Sequence, residues 1–309
     1  MRRNLVESGA HLENVGSALP LQAAGVSVII PAYNEEAMVG KVVEAVLRQS
    51  ERIGQAIEVV VVDDGSLDNT AACAQRAGAT VVRHRWQKGY GAAIKTGIRH
   101  TARPIVVLLD ADGQHNPDDL PAMVEGLKEH DMCIGKRLYR DGGPMSRAPG
   151  KWLMRRFAQY LTGIEIPDLN CGFRAVRRRR MEQALHLLPD GFSLSTTLTI
   201  ALLRAGSEVV WHPIKFERRT MGQSEVKPFS DGLKVLLSMG RVTMLFAPLR
   251  VFIPISAVLL LMGGVSLGLD SLVMKMSGAT ILLGLGGVTI FCFGMLADQL
   301  AAIRRELKL

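Results

Sequence analysis

Aromatic residues make up only 5% of this 309-residue chain, and nowhere do they interleave with a stripe of lysine and arginine. That scarcity argues against nucleic acid as the partner behind a net charge of +8, and leaves anionic lipid headgroups as the better explanation. Cysteine is scarce too. Cys73, Cys133, Cys171 and Cys292 stand far apart, with neither a metal-ligand spacing nor the pattern of a disulfide framework, and read as packing residues in a reducing compartment. The first two dozen residues hold Arg2 and Arg3 but no apolar run, so residues 1–25 are expected to form a flexible tail rather than a cleavable secretory signal.

Charge is missing from residues 251–269 and 277–297. Each stretch approaches the roughly 20 residues that cross a hydrocarbon core, and the two read as a transmembrane hairpin. A hydrophobic content of 48% and a mean hydropathy of +0.18 fit one large domain joined to such an anchor. Buried core helices are the alternative, and fit the length and uniform apolarity less well. Gly263, Gly264, Gly284, Gly286 and Gly287 would weaken soluble helices, but small residues let two membrane helices approach closely. Arg241 and Arg250 precede the hairpin and Arg304, Arg305 and Lys308 follow it, while its turn carries only Lys275 against Asp270, so both ends are expected in the cytoplasm. Just upstream, residues 229–246 set Leu233, Leu236, Leu237, Met244 and Leu245 among Lys234 and Arg241, a pattern for a helix lying in the membrane interface or packed on the soluble domain. Its position favours the interface.

What is present before the hairpin is an alternation of short apolar runs and helical patterns. Strands are expected at 26–31, 58–63, 80–84 and 105–110, with helices near 36–49, 69–77 and 92–101. The alternation predicts an α/β domain with a mostly parallel sheet flanked by helices, and with ligands beyond the carboxyl ends of the strands. The polar motifs fall at those ends. Pro31-Ala-Tyr-Asn-Glu-Glu36 follows the first strand and Asp63-Asp-Gly-Ser-Leu-Asp-Asn-Thr70 the second, where Gly65 permits a sharp turn and Ser66 or Asp68 can cap the next helix. Of two adjacent aspartates, one can point into a pocket and accept from a nucleobase or ribose. Gly89-Tyr-Gly91 lacks the spacing of a dinucleotide fingerprint, and leaves either a backbone approach to phosphate or a plain turn. The run Arg177 to Arg180 suits a membrane surface, a phosphate or simple solvation.

The most informative stretch is Val106-Val-Leu-Leu-Asp-Ala-Asp-Gly-Gln-His115, in which an apolar strand delivers Asp110 and Asp112 to its carboxyl end. An Asp-x-Asp pair alone is common on solvated loops. Here it stands where a hard cation, Mg²⁺ or Mn²⁺, takes carboxylates, water and the oxygens of a pyrophosphate. A calcium loop is excluded, because His115 occupies the sixth position, where that turn requires glycine.

In order along the chain, Pro31 to Glu35, Asp63 to Asp68, Gly89 to Gly91, Asp110 and Asp112 with Gln114, Arg137, and Asn170-Cys-Gly-Phe-Arg174 resemble glycosyltransferase family 2. The likeness is to its polyprenyl-phosphate branch, the dolichol-phosphate mannosyltransferases and undecaprenyl-phosphate sugar transferases, and it runs from about residue 26 to the C-terminus. The resemblance implies a GT-A fold and a transfer of sugar from a nucleotide diphosphate, GDP-mannose or a UDP-hexose, to a membrane polyprenyl phosphate. A lipid phosphate is already anionic and can attack without a strong general base, so one-step inversion is expected. Pro31, Tyr33, Glu35, Val62, Asp64, Asp110 and Ala111 would then bind the nucleotide. Asp110, Asp112 and Gln114 would hold Mg²⁺ or Mn²⁺, and Arg137 and Arg219 would meet donor and acceptor phosphates. Asp168 has two readings, orienting acceptor or sugar, or capping the backbone at Gly172.

The implied organisation is a GT-A catalytic domain at 26–225, a juxtamembrane segment at 226–250, the hairpin at 251–297 and a cytoplasmic tail at 298–309, in a bacterial inner membrane. Two departures stand out: Gly222-Gln-Ser-Glu225 carries an acid where relatives carry a phosphate-binding lysine, with Lys227 nearby, and Cys171 replaces a common serine. A processive polysaccharide synthase is a second reading, weakened by the small number of membrane helices and the absence of a Gln-x-x-Arg-Trp motif. A membrane-anchored nucleotide-sugar-binding protein without turnover is a third, kept open by Glu225.

Overall fold

The computed structural model describes residues 25–138, 156, 159–160, 163–191, 193–216, 237, 240, 244, 247–273 and 276–306. Arg219, the Gly222 to Glu225 motif, Lys227, and all but three residues of the 229–246 amphipathic stretch lie outside these.

A seven-stranded sheet organises the soluble part: β1 (Val26–Ala32), β2 (Ile57–Asp63), β3 (Thr80–Arg83), β4 (Ile105–Leu108), β5 (Met132–Leu138), β6 (Arg174–Arg177) and β7 (Val209–Lys215). In space their order is β3-β2-β1-β4-β6-β5-β7. The first four strands pair in parallel, as expected from sequence. β1, β2 and β4 are rich in valine and isoleucine and almost wholly buried, the composition of strands covered on both faces. Helices supply the cover: α1 (Val39–Leu47), the single turn α2 (Ser50–Ile53), α3 (Thr70–Arg76), α4 (Tyr90–Arg99), α5 (Leu120–Glu125), α6 (Arg178–Ala184) and α7 (Leu194–Arg204). In α1 the buried residues Val39, Val42, Val43 and Val46 recur at helical spacing and form one apolar face.

One topological feature decides where the site lies. β6 runs antiparallel to both its neighbours, β4 and β5. Its leading end, rather than its carboxyl end, therefore reaches the rim where the parallel strands finish, and it carries Asn170 to Phe173 there. The register pairs Arg174 with Leu108, two residues before Asp110.

Three of the four arginines at 177–180 serve the far end of the sheet. Arg177 donates to the carbonyls of Leu127, Lys128 and His130, Arg178 to those of Ile98 and Arg103 and to Thr101, and Arg180 pairs with Asp131. Three of the four thus close chain ends within the domain.

Two long helices complete the described chain, α8 (Leu249–Val273) and α9 (Gly278–Glu306). Both are long and apolar enough to cross a membrane. Each outruns its uncharged stretch, because charge limits the apolar core and not the helix: Asp270 stays helical and turns its Oδ2 to Ser277 N and Thr280 Oγ1, both at 2.6 Å. Gly263, Gly287 and Gly294 stand at the crossing, where a Cβ would lie 3.2 Å from Gly284 N, 2.7 Å from Leu260 Cγ and 2.6 Å from Phe252 Cβ respectively. Leu261, Leu272 and Leu282 are more than two-thirds exposed, an outward surface suited to lipid rather than water. Val251, by contrast, packs against the core of the soluble domain.

Candidate active site

The rim is assembled from loops stitched to one another. Asn34, in the left-handed region at φ +53°, donates its N–H to Ser66 Oγ and accepts Leu67 N–H through its side chain. Glu35 N–H meets Thr70 Oγ1, Glu36 N–H meets Asp68 Oδ2, and the Glu36 carboxylate accepts from Asn69. Asp68 also accepts Thr70 N–H in a local turn ahead of α3, whose N-cap is Asn69 with no side-chain cap bond, and Ser66 is spent on the neighbouring loop, so neither residue is the cap the sequence suggested. A turn closed by Met38 N–H and Val39 N–H on Glu35 O leads into α1, which begins at Val39, later than the sequence pattern suggested. Pro31, Tyr33 and Glu35 stay half-buried along this loop.

The adjacent aspartates both turn inward. Asp63 accepts Ser66 N–H at 2.8 Å and pairs with Arg83 at 3.1 Å. Asp64 faces His84 Nδ1 at 2.6 Å through Oδ1, which also accepts Lys88 N–H, while Oδ2 accepts Gly89 N–H at 2.8 Å. Three of its roughly four acceptor positions are thereby filled within the protein. Val62 is fully buried with Val60 and Ala93.

Gly89 and Gly91 approach protein. A Cβ on Gly89 would lie 2.6 Å from Asp190 O, and one on Gly91 2.8 Å from Asp190 C. Gly89 also has φ +108°, a conformation other residues rarely adopt. The turn locks the start of α4 against the loop at 189–191, a connection also made by Ala92 N–H to Asp190 O and by Lys95 to Asp190.

Asp110, about a third exposed, lies two residues beyond β4. Tyr90 donates its hydroxyl to Oδ1 at 3.1 Å, and His115 Nε2 stands 3.5 Å from Oδ2. Burial alone would raise this carboxyl, but His115, Tyr90 and the Arg137 charge hold it below the usual carboxylate range. Burial and the neighbouring Asp110 charge push the Tyr90 hydroxyl well above its ordinary value, so it remains a donor. Asp112 accepts Gln114 N–H at 3.0 Å, closing a tight loop through Gly113 at φ +72°. Ala111, between the two aspartates, is buried.

Arg137 and Asp168 form a two-pronged pair, Nε to Oδ2 at 2.7 Å and Nη2 to Oδ1 at 2.8 Å. Asp168 also accepts Asn170 N–H, so its backbone cap falls on Asn170 and not on Gly172. Burial would raise its carboxyl, and Arg137 lowers it past the ordinary value. The Arg137 guanidinium rests on the Phe216 ring, 5.3 Å from its centroid, and Phe216 in turn packs edge-on to His115.

Arg174 is fully buried and donates to the carbonyls of Leu169, Cys171 and Ser195 and to Thr199 Oγ1. These bonds tie the 169–171 segment to α7, and Thr196 Oγ1 adds a bond to Asn170 Oδ1. Burial drives the thiols of Cys133 and Cys171 up to about 12, leaving both as packing groups.

Asp110, Asp112, Gln114, Arg137 and Asp168 therefore come to one rim. Sequence reasoning missed Tyr90, His115 and the bracing role of Arg174. Tyr90 was hidden inside a glycine turn, and His115 was used only to reject a calcium loop.

A family model described as Glycosyl transferase family 2 matches residues 27–185, just over half of the chain. The chain belongs to glycosyltransferase family 2. A second model, the GtrB C-terminal hairpin, matches residues 247–303 and so covers α8 and α9. An uncharacterized protein of Methanocaldococcus jannaschii is 29% identical, over 69% of this chain and 89% of its own length. An undecaprenyl-phosphate 4-deoxy-4-formamido-L-arabinose transferase of Pseudomonas aeruginosa is 36% identical over 52% of this chain and 49% of its own. The chain thus spans about half the length of that transferase. In fold, this family 2 domain is similar to glucosyl-3-phosphoglycerate synthase of Mycobacterium tuberculosis crystallised with Mn²⁺, UDP and glucosyl-3-phosphoglycerate. The TM-score is 0.58 at 20% identity, covering 71% of this chain and 80% of that one. The same synthase has been crystallised with Mg²⁺ and UDP, with a TM-score of 0.57 at 22% identity. The likeness establishes the GT-A-like α/β architecture.

The donor set at 110–114 consists of two carboxylates and an amide, hard oxygen ligands that suit Mg²⁺ or Mn²⁺. No cluster of three or more His, Cys, Asp or Glu side chains suited to a metal occurs among the described residues. Two carboxylates and an amide leave further coordination positions of such a cation to water or substrate oxygens.

Proposed function

We propose that this family 2 transferase moves a sugar from a nucleotide diphosphate, GDP-mannose or a UDP-hexose, to a polyprenyl phosphate, with inversion at the anomeric carbon. One observation carries the reading: the Arg137 charge acts on the Asp110 carboxylate at the rim, in a chain whose C-terminal helices match the GtrB hairpin. The relatives named as undecaprenyl-phosphate transferases support the acceptor class.

In this reading Pro31, Tyr33 and Glu35 line the nucleoside pocket, backed by Val62, Asp64 and Ala111. Asp110, Asp112 and Gln114 hold Mg²⁺ or Mn²⁺, which when bound supplies Lewis-acid neutralisation of the departing diphosphate. Arg137 is held in place by Asp168 and Phe216 and adds a guanidinium already aimed at the same charge, with Arg219 assigned to the acceptor phosphate by family resemblance. An oxygen of the lipid phosphate forms the new bond to the anomeric carbon as the bond to the diphosphate breaks. The attacking phosphate is already anionic, so no strong general base is required. The hairpin lies in a bacterial inner membrane with the catalytic domain on the cytoplasmic side.

The test is to incubate membranes carrying the chain with labelled nucleotide sugars and undecaprenyl phosphate and to extract lipid. A labelled glycolipid made by the parent and lost in Asp112→Ala supports the reading. Polymer in the aqueous phase, or equal product from both proteins, refutes it.

A further inference from the structure

We propose that Tyr90 is a positioning residue for the transfer reaction, holding Asp110 so that the carboxylate presents its remaining lone pairs to the divalent cation and ribose hydroxyls of the bound nucleotide donor. The inference rests on the reading of Asp110 as a donor-facing group.

Tyr90 is the first residue of α4 and its backbone is fixed on both sides. Gly89 donates to Asp64 Oδ2, and Ala92 donates to Asp190 O at 3.1 Å. Neither flanking glycine tolerates a Cβ against the loop at 189–191. The ring packs against the domain core, so the direction of its hydroxyl is set by the scaffold.

That hydroxyl ends 3.1 Å from Asp110 Oδ1. On the other side His115, nearly fully buried between Phe173 and Phe216, flanks Oδ2 at 3.5 Å. A carboxylate has about four acceptor positions. Two are approached by these neighbours, and the backbone of Gly172 closes one flank of the group. A carboxylate gripped in this way reaches its ligand without reorganising, the condition for electrostatic preorganisation. The Gly89-Tyr-Gly91 turn thus contributes through a side chain rather than through backbone amides.

Tyr90→Phe isolates the hydroxyl while keeping the ring. Calorimetric titration of the full-length protein in detergent with UDP and GDP, in the presence of Mn²⁺, should show affinity about tenfold weaker than the parent, the low end for a hydrogen bond to a charged group. The KM for the donor should rise by a similar factor, with the KM for polyprenyl phosphate and the unfolding temperature unchanged. Unchanged nucleotide affinity and donor KM would assign Tyr90 to packing alone, as would a variant whose losses track a lowered unfolding temperature. A parent that binds neither nucleotide would sink the donor assignment itself and this inference with it, whereas binding shared equally by parent and variant would sink only the role of Tyr90.

Discussion

The Asp110 carboxylate fills the space that a Cβ on Gly172 would occupy: such an atom would lie 2.7 Å from Asp110 Cγ. Glycine at 172 lets the segment before β6 close onto the loop after β4, so this contact joins two motifs 62 residues apart in the chain.

Gly172→Ala should therefore displace Asp110 without unfolding the sheet. Overpacking at one methyl costs about 1–3 kcal/mol, while misplacing a positioned group by about 1 Å lowers turnover by roughly a hundredfold. Glycolipid formation together with thermal melting checks both halves, and full activity in the variant would show that the contact is relaxed in solution.

The Arg137 and Asp168 pair gives a pH dependence with a definite sign. The folded-state pKa of Asp168 is lowered, so its contribution is complete above the unfolded value of about 3.9 and disappears as pH falls through the lower folded value. Melting temperatures should hold from neutral pH to about 5 and drop in more acidic solution. Asp168→Asn should lose stability at neutral pH, about 3 kcal/mol if the pair behaves as a buried one, and show a shallower acid limb. Parallel acid limbs for parent and variant would assign the transition to other carboxylates.

Chelation should stop turnover and also uncouple nucleotide from stability. With Mg²⁺ or Mn²⁺ present, a nucleoside diphosphate at a hundred times its dissociation constant stabilises the fold by about 2.7 kcal/mol. EDTA should remove most of that shift, and Asp112→Ala should show little of it under either condition. A thermal shift by UDP that is indifferent to EDTA would argue that the diphosphate is held by protein groups alone.

At the membrane end, Gly294→Val should force α8 and α9 apart, since even a Cβ there would lie 2.6 Å from Phe252 Cβ. Cysteines introduced on the two helices near this crossing should cross-link in the parent and much less in the variant. Equal cross-linking would mean that the helices pack differently in lipid.

Much of the architecture was legible because local chemistry speaks directly. Runs such as Val-Val-Val-Val in β2 declare a strand covered on both faces, and two uncharged stretches declare the hairpin. β6 was not legible. Arg174-Ala-Val-Arg177 is short and runs straight into further arginines, so its charge masks the strand. The direction of side chains was equally hidden: Asp64 and Asp110 both follow strands, yet one is consumed by His84 and backbone amides while the other stays partly open.

Residue types and their order determined the kind of chemistry available, because hard oxygen donors, glycine turns and apolar runs keep those properties in any fold. Only the tertiary structure decided which groups meet. Pairing a reversed strand between β4 and β5 is a long-range event, and it is this pairing that sets Gly172 against Asp110 and Arg137 beside Asp168.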